Sequence, residues 1–391
     1  MPYFPIHEYF VTCAPGLEQL LAGELRILRC RSVRPQRSGV LFKGTVKDGY
    51  RVCLWSRFGS RVLMTLVTVD ARSDAYFYNE VKDFAWEHHL RDAGTLYIES
   101  VGGNSAFRNT QFINVRTKDA IVDRFRDKKL KRPSITAKHP DLRLNVAVHK
   151  DQAKIAIDLT GEPMHRRHYR PDGVQAIAPM KETLAAAILT WAGWPRIAAE
   201  GGPLVDFMCG SATLAVEAAL MAGDSAPGLY RPRWGFESWT QHDVPAWEAL
   251  LDEARNRRGA GLAQIPPILA SDIDPIAVSI ARRGLITAGL QDVVTLSEAD
   301  FVDVRPPQDA PAGLIAINPP YGKRLLDAGQ LPAFYEPLRE VLHEFWGGYR
   351  LAIITPDQSI SQHLGLNAQH AHAVRNGPID AEVLTYNIPK S

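Results

Sequence analysis

Gly313-Leu314-Ile315-Ala316-Ile317-Asn318-Pro319-Pro320-Tyr321-Gly322 joins a short apolar run to a turn stiffened by two prolines. Five consecutive apolar residues bounded by turn signals read as a buried strand, Gly313–Ile317, of the kind found in parallel sheets. Asn318 offers a side-chain carbonyl, and the Pro319 carbonyl offers another whose direction proline fixes. Two acceptors facing one NH2 group orient both of its hydrogens and turn its lone pair elsewhere. Tyr321 adds a flat face on which a base can stack. Asn318, Pro319, Pro320 and Tyr321 are therefore the candidate catalytic turn, suited to holding a planar amine while a methyl group is delivered to it. A plain strand stop would look similar, because Pro-Pro and Tyr-Gly punctuate loops.

Upstream of this turn, from Met180, strands alternate with helices, the pattern of a parallel sheet covered on both faces. The expected order is a helix over 181–192, a strand at 203–206, a helix at 212–221, a strand at 268–272, a helix at 275–288, a strand at 293–297, the strand at 313–317 and another at 351–355. Asn376-Gly377 predicts a tight hairpin within the closing segment 373–388. The aromatic stretch between about 223 and 267 (Tyr230, Trp234, Phe236, Trp239, Trp247) interrupts the alternation as an ordered insertion.

Four strand ends carry polar groups in order: Asp206, Asp272, Asp300 and Asn318. Ligands bind at the carboxyl edge of such sheets. The turn Asp206-Phe207-Met208-Cys209-Gly210-Ser211-Ala212-Thr213 lacks the G-x-G-x-x-G pattern of a dinucleotide site and the G-K-[ST] of a phosphate loop. An acidic turn suits a cationic ligand without phosphate, and S-adenosylmethionine is such a ligand. Asp206 is expected to hold its amine, Asp272 its ribose and Asp300 the adenine amine, with Ile273 and Phe301 flanking the ring. Each of these aspartates could also serve simply as a helix cap.

Residues 1–60 read as a small α+β unit, with a strand at 9–13, a helix at 17–25, a strand at 39–44 and a helix at 47–56. Residues 61 to about 160 continue as mixed α/β, including strands at 62–69, 95–101, 143–149 and 153–159. A helix from about 117 to 130 ends in a basic run, with seven Lys or Arg between Lys118 and Arg132. That is more than a helix C-terminus needs, so contact with a phosphate backbone is expected at Lys128, Lys129 and Lys131. His165-Arg166-Arg167-His168-Tyr169-Arg170-Pro171-Asp172-Gly173 reads as a basic linker. It is a tether or a strip of arginines that guides RNA.

Charge is divided unevenly. Residues 1–170 carry 29 Lys+Arg against 18 Asp+Glu, and residues 171–391 carry 16 against 25, within a total of +2. A basic front half and an acidic back half fit a protein that holds a polyanion with one part and does chemistry with the other. The start of the chain has no signal-peptide pattern and no run is long enough to span a membrane, so a cytoplasmic location is expected. Cys13, Cys30, Cys53 and Cys209 lack C-x-x-C spacing, and the histidines form no H-E-x-x-H array, so reduced thiols and no metal site are expected.

Together, Asp206–Thr213, Ser271-Asp272-Ile273-Asp274-Pro275 and Asn318–Gly322 resemble the motifs of bacterial guanine-N2 RNA methyltransferases that carry a THUMP domain. The resemblance is nearest to the branch acting on 23S ribosomal RNA. It extends to Arg108-Asn109-Thr110-Gln111-Phe112, Lys118–Asp123, His165–Arg170 and Pro179-Met180-Lys181-Glu182, and so covers nearly the whole chain. It implies a ferredoxin-like unit at 1–60, an RNA-binding THUMP domain at 61–160, a basic linker at 161–178 and a Rossmann-like methyltransferase domain at 179–391 with a mostly parallel seven-stranded sheet. It implies S-adenosylmethionine contacts from Lys181, Glu182, Asp206, Phe207, Cys209, Gly210, Ser211, Thr213, Asp272, Ile273, Asp300, Phe301 and Asn318. It implies RNA contacts from Arg108, Asn109, Gln111, Lys128, Lys129, Lys131, Arg166, Arg167, Arg170, Lys323 and Arg324. The implied partner is 23S rRNA or its precursor, with tRNA as the alternative. A non-catalytic RNA-binding assembly factor is the reading from a different class.

Two departures stand out: Ala212 and His168 occupy positions where the family usually has glycine. A positive φ at Ala212 would cost about 1 kcal/mol. Some members carry a second methyltransferase domain. This chain ends after the first, so any second activity is expected elsewhere.

Overall fold

The computed structural model describes residues 5–170, 180–319, 331–357 and 359–390, with backbone alone at 331–333. The chain divides into two units. The first contains the N-terminal residues to Cys13, Glu18–Arg166 and Arg231–Leu251; the second contains Ala14–Leu17, Arg167–Tyr230 and the chain from Asp252.

The first unit begins β1 (His7–Thr12), α1 (Glu18–Ile27), β2 (Arg31–Gln36), β3 (Gly39–Gly44), α2 (Val46–Trp55) and β4 (Arg61–Asp70). The strands lie in the order β2-β3-β1-β4, all antiparallel, which is the ferredoxin-like arrangement. Its fourth strand starts at Arg61, just past the boundary expected at residue 60. Tyr9, Val11, Val40 and Phe42 alternate onto one buried face. Gly49 of α2 lies against the Tyr9 ring, so this is the helix-covered face. A capping box starts α2: Thr45 Oγ1 accepts from the Asp48 N–H, and Asp48 accepts from the Thr45 N–H.

α3 (Asp74–Asp83), β5 (Thr95–Gly103), α4 (Thr110–Asp127), β6 (Ser134–Ile135), β7 (Leu142–His149) and β8 (Gln152–Asp158) follow. β8 pairs with β4, so the two regions expected to be separate share one eight-stranded sheet, β2-β3-β1-β4-β8-β7-β5-β6. α4 starts seven residues before the expected position, because the Asn109 side chain accepts from the Gln111 N–H and caps it.

Residues 231–251 belong to this unit. Tyr50 of α2 stacks on Phe236 with centroids 4.2 Å apart, meets the edge of Trp247, and shares a 2.7 Å hydrogen bond with His242. The Arg231 guanidinium lies 4.4 Å from the Trp234 ring centre and donates to the carbonyls of Thr160, Glu162, Pro163 and Arg166. His89 stacks on Phe84 and Trp239, and burial lowers its pKa to about 4.

The second unit contains α5 (Glu182–Trp191), α6 (Trp194–Ala199), β9 (Leu204–Asp206), α7 (Thr213–Ala222) and the later part of α8 (Val244–Leu262), whose first residues belong to the first unit. β10 (Ile268–Asp272), α9 (Pro275–Ala288), β11 (Val294–Glu298), β12 (Leu314–Ile317), α10 (Leu331–Phe345), β13 (Arg350–Thr355), α11 (Ile360–Leu364), β14 (His370–Asn376) and β15 (Ile379–Asn387) complete it. The sheet order is β11-β10-β9-β12-β13-β15-β14, parallel through β13, with β15 antiparallel between β13 and β14. This is the seven-stranded Rossmann-like sheet the resemblance implies. Asn376 and Ile379 close the expected hairpin, with Gly377 at φ +63°. β10 and β11 lie on one side of β9, and β12 and β13 on the other. The chain therefore reverses its direction of winding between β9 and β12, and a crevice opens at the carboxyl ends of strands placed this way. All four residues of β12 are fully buried, as expected for a parallel strand covered on both faces. Among the described residues, no helix is long and apolar enough to cross a membrane.

Candidate functional site

β9 ends at Asp206, which is 1% exposed. One carboxylate oxygen accepts from the Met208 N–H at 3.2 Å, and no cationic side chain pairs with it among the described residues. Burial pushes its carboxyl up to about 8; the Met208 N–H opposes this and nearby Asp272 adds to it. A buried acid in that state gains most from a cation placed beside it.

The chain then turns through two left-handed residues. Gly210 has φ +54° and open space where a Cβ would project. Its N–H donates to Asp272 at 2.8 Å, which ties the β9 turn to the end of β10. Ala212 has φ +57° and is fully buried at the N-terminus of α7, so the strain expected for alanine there is present. His168, the other departure from glycine, also has a positive φ of 67°. Ser211 and Thr213 share a 3.2 Å hydroxyl contact at the mouth of α7.

Asp272 accepts from both Gly210 and, at 3.0 Å, the Asp274 N–H. Asp274 caps α9 by accepting from Ile276, and Asp300 caps the short helical turn Phe301–Asp303. Ile273 is 67% exposed beside Asp272, and Phe301 meets Phe334 edge-on. At the end of β12, Asn318 Oδ1 is buried with no hydrogen-bond partner among the described residues, and Ser271 Oγ at the end of β10 is in the same state. An unsatisfied buried acceptor costs about 1–3 kcal/mol. Asn318 and Asp206 sit at the carboxyl ends of adjacent strands, so both acceptors face the crevice end of the sheet, where each needs a donor. Pro319 is described and buried. Pro320, Tyr321, Lys323 and Arg324 lie outside the described residues.

Several expected contacts need correction. The Phe207 ring turns into the core against Trp346, so its side chain does not line the crevice. Cys209 is buried, and burial pushes its thiol far up, leaving it a neutral core group. Arg167, expected on RNA, is 1% exposed and paired with fully buried Glu217, to which Tyr169 also donates. Arg170 donates to Thr213 Oγ1 at 2.7 Å and to the Met180 carbonyl at 2.6 Å, and lies 3.5 Å from Glu182. It braces the start of α7 instead of facing a phosphate. Glu182 is buried beside it, and Lys181 is exposed at the start of α5. Asn109 is used as a helix cap. Arg108, Gln111, Lys128, Lys129, Lys131 and Arg166 are exposed, and the three lysines form no ion pair among the described residues. Glu217 was not anticipated. The available signal was a lone acid inside the apolar helix Thr213–Ala222, which needs a buried partner.

Three family models match the chain: the RlmL ferredoxin-like domain at 8–63, the THUMP domain at 72–158 and the RMKL-like methyltransferase domain at 167–384. The chain is 42% identical over 383 residues to the ribosomal RNA large subunit methyltransferase K/L of Syntrophotalea carbinolica, covering 97% of this chain and 53% of that protein. It is 41% identical to the protein of the same name from Methylococcus capsulatus, covering 97% and 51%. The chain spans about half the length of the curated relatives it matches. Among solved structures, the methyltransferase SMU.472 complexed with S-adenosylhomocysteine is similar with a TM-score of 0.85 at 28% identity, covering 99% of both chains.

A sheet that reverses its winding beside a buried acid, with no phosphate fingerprint, defines a Rossmann-like methyltransferase that uses S-adenosylmethionine. The residues present fit that cofactor, because Asp206 is buried with no cation beside it among the described residues and Gly210 leaves open space above the turn. The chain belongs to the RMKL-like methyltransferase family, with ferredoxin-like and THUMP domains preceding the methyltransferase domain.

Proposed function

We propose that this protein methylates the exocyclic N2 amine of a guanosine in 23S ribosomal RNA, in the cytoplasm. The observation that carries the reading is Asn318 Oδ1, buried with no hydrogen-bond partner among the described residues at the end of β12, one strand from Asp206. The names of the curated relatives and the THUMP match support an RNA substrate, and those names favour ribosomal RNA over tRNA. The parts of the chain divide the work: residues 1–60 form the ferredoxin-like unit, 61–160 bind RNA, 161–178 link, and 179–391 carry out the transfer.

Bound S-adenosylmethionine supplies an electrophilic sulfonium methyl group. Asp206 accepts from its amine, Asp272 from ribose and Asp300 from adenine, with Lys181, Glu182, Gly210, Ser211, Thr213, Ile273 and Phe301 around them. Asn318 Oδ1 and the Pro319 carbonyl accept from guanine N2, and Tyr321 stacks on the base. As the nitrogen becomes positive in the transition state, these acceptors strengthen their hold, so positioning and charge stabilisation are the main catalytic terms. No general base is required, because the methylated nitrogen is acidic enough to lose its proton to water. The target base must be unstacked or already lie in a loop.

The test is methylation with labelled cofactor of 23S rRNA, 16S rRNA and tRNA from a strain lacking the gene, followed by nucleoside identification. N2-methylguanosine in 23S rRNA is the expected product. The same nucleoside confined to tRNA would move the substrate to the alternative, and N6-methyladenosine would overturn the assignment of the acceptor. No label in any RNA would favour an assembly factor.

A further inference from the structure

From Leu25 to Lys47 the chain carries seven basic and no acidic residues. All seven are exposed, and none takes part in an ion pair among the described residues. Three of them share one face of the ferredoxin-like sheet. Arg31 lies opposite Lys43 and Arg34 opposite Leu41; Leu41 in turn lies opposite Phe10 on the neighbouring strand. Residues directly opposite one another project to the same side. That side is the reverse of the Tyr9–Phe42 face covered by α1 and α2.

Phe10 is half-buried on this open face. Its ring lies across β3 at Gly39, where a Cβ would come within 2.4 Å of the ring. The glycine provides a flat floor, so the ring lies along the sheet. Glu8, the acid on this face of β1, is neutralised by Lys154. Edge strands often carry a charge to block pairing with another chain, and one or two would suffice. Three exposed cations, with the face's one acid on β1 already neutralised, beside an aromatic ring on the open face of β2-β3-β1 match the way such sheets hold single-stranded RNA.

We infer that the open face of β2-β3-β1 binds a single-stranded segment of the RNA substrate, with Arg31, Arg34 and Lys43 on phosphates and one base stacked on Phe10. The inference rests on the RNA reading above and adds a second contact surface. β2 is one edge of the eight-stranded sheet. The exposed lysines after α4 precede β6, which is the other edge. Seven strand spacings separate these edges, about 34 Å along the sheet. An RNA that touches both edges must bridge that span.

The test uses the full chain, a labelled oligouridylate 12-mer and a 23S rRNA transcript, titrated at several salt concentrations. Arg31→Gln/Arg34→Gln/Lys43→Gln should weaken 12-mer binding at least about tenfold and lower the log–log salt slope by about 2, since each single-strand phosphate contact contributes about 0.7. Phe10→Leu keeps an apolar side chain there. It should weaken binding about tenfold with an unchanged slope, as loss of a stacking platform does. A circular dichroism spectrum and a thermal melt matching the wild type check that each variant is folded. Wild-type 12-mer affinity and slope in the triple variant would overturn the inference. If that variant still methylates rRNA, the proposed function survives; if the unaltered protein binds neither RNA, both fall.

Discussion

At the edges of the eight-stranded sheet, Arg31, Arg34 and Lys129 stand in water with no ion-pair partner among the described residues. At the carboxyl end of the seven-stranded sheet, Asp206 and Asn318 Oδ1 are buried without a full set of partners among the described residues. Both regions present unsatisfied polar groups, but the physical cost differs. An exposed charge keeps its hydration and is screened by salt, whereas a buried acceptor has already lost its water. The buried pair therefore points more sharply to a ligand. The outer region should reveal itself through ionic strength, and the inner one through pH and turnover.

A third arrangement bounds the comparison. Arg167 and Glu217 are as deeply buried as Asp206, but they satisfy each other. Arg167→Met would leave Glu217 buried and unpaired, and should destabilise the second unit by about 3–5 kcal/mol. Arg167→Met with Glu217→Leu should recover most of that loss. Urea titration followed by tryptophan fluorescence measures both, and a single variant as stable as the wild type would break the contrast between satisfied and waiting buried charge.

Asn318→Ala removes an acceptor proposed to act in the transition state. It should lower turnover by about 2–4 kcal/mol in barrier, roughly 30- to 1000-fold, with cofactor affinity nearly intact. Single-turnover rates beside calorimetry on the same variant separate the two quantities. Turnover equal to wild type would mean that the unpartnered acceptor is not aimed at substrate.

The pH dependence follows from Asp206, whose carboxyl burial raises to about 8. Between roughly pH 4 and 8 the folded protein holds a proton that the unfolded chain has lost, so stability falls as pH rises through this window. A cationic ligand favours the ionised form. Affinity for S-adenosylhomocysteine should therefore rise from pH 6 to 7.5, by at most about tenfold per pH unit, with proton uptake by buffer. Asp206→Asn should bind weakly, lose this slope and lose the pH-dependent fall in stability. Calorimetry in two buffers of different ionisation enthalpy measures the proton, and a flat profile for the wild type would show that Asp206 does not face the cofactor amine.

The smallest effect is expected at Ala212. Glycine would relieve about 1–2 kcal/mol of left-handed strain. It would also forfeit about 0.8 kcal/mol of buried methyl and add chain entropy to the unfolded state. The terms nearly cancel, and Ala212→Gly should shift stability by less than about 1 kcal/mol in a thermal melt. A large gain would mean that the Ala212 methyl contributes no useful packing.

The parallel sheet was legible because its strands are apolar runs that end in Asp or Asn, a pattern produced locally by burial on both faces. The positive φ at Ala212 was expected only through the resemblance, because the family usually has glycine there. β2 was not legible, because Arg31–Gln36 is an exposed edge strand with no apolar alternation. The early start of α4 was hidden in one side-chain bond, from the Gln111 N–H to Asn109. Arg167 was misread because residue type announces charge but not its partner, and Glu217 lies fifty positions away. The aromatics at 231–251 announced an ordered core segment without saying whose core it was, since Tyr50 is nearly two hundred residues distant.

That segment has a consequence for synthesis. Arg231 and the ring cluster on Tyr50 complete the first unit, yet the ribosome makes them only after residues 167–230, which belong to the second unit. At about 5–20 residues per second, the roughly 85 residues between Arg166 and Leu251 take about 4–17 s to add. For that interval the surface around Tyr50 has no lid, and the four carbonyls of residues 160–166 have no arginine. The N-terminal unit is thus completed from downstream, and its final packing waits on a stretch of message that encodes the start of its neighbour.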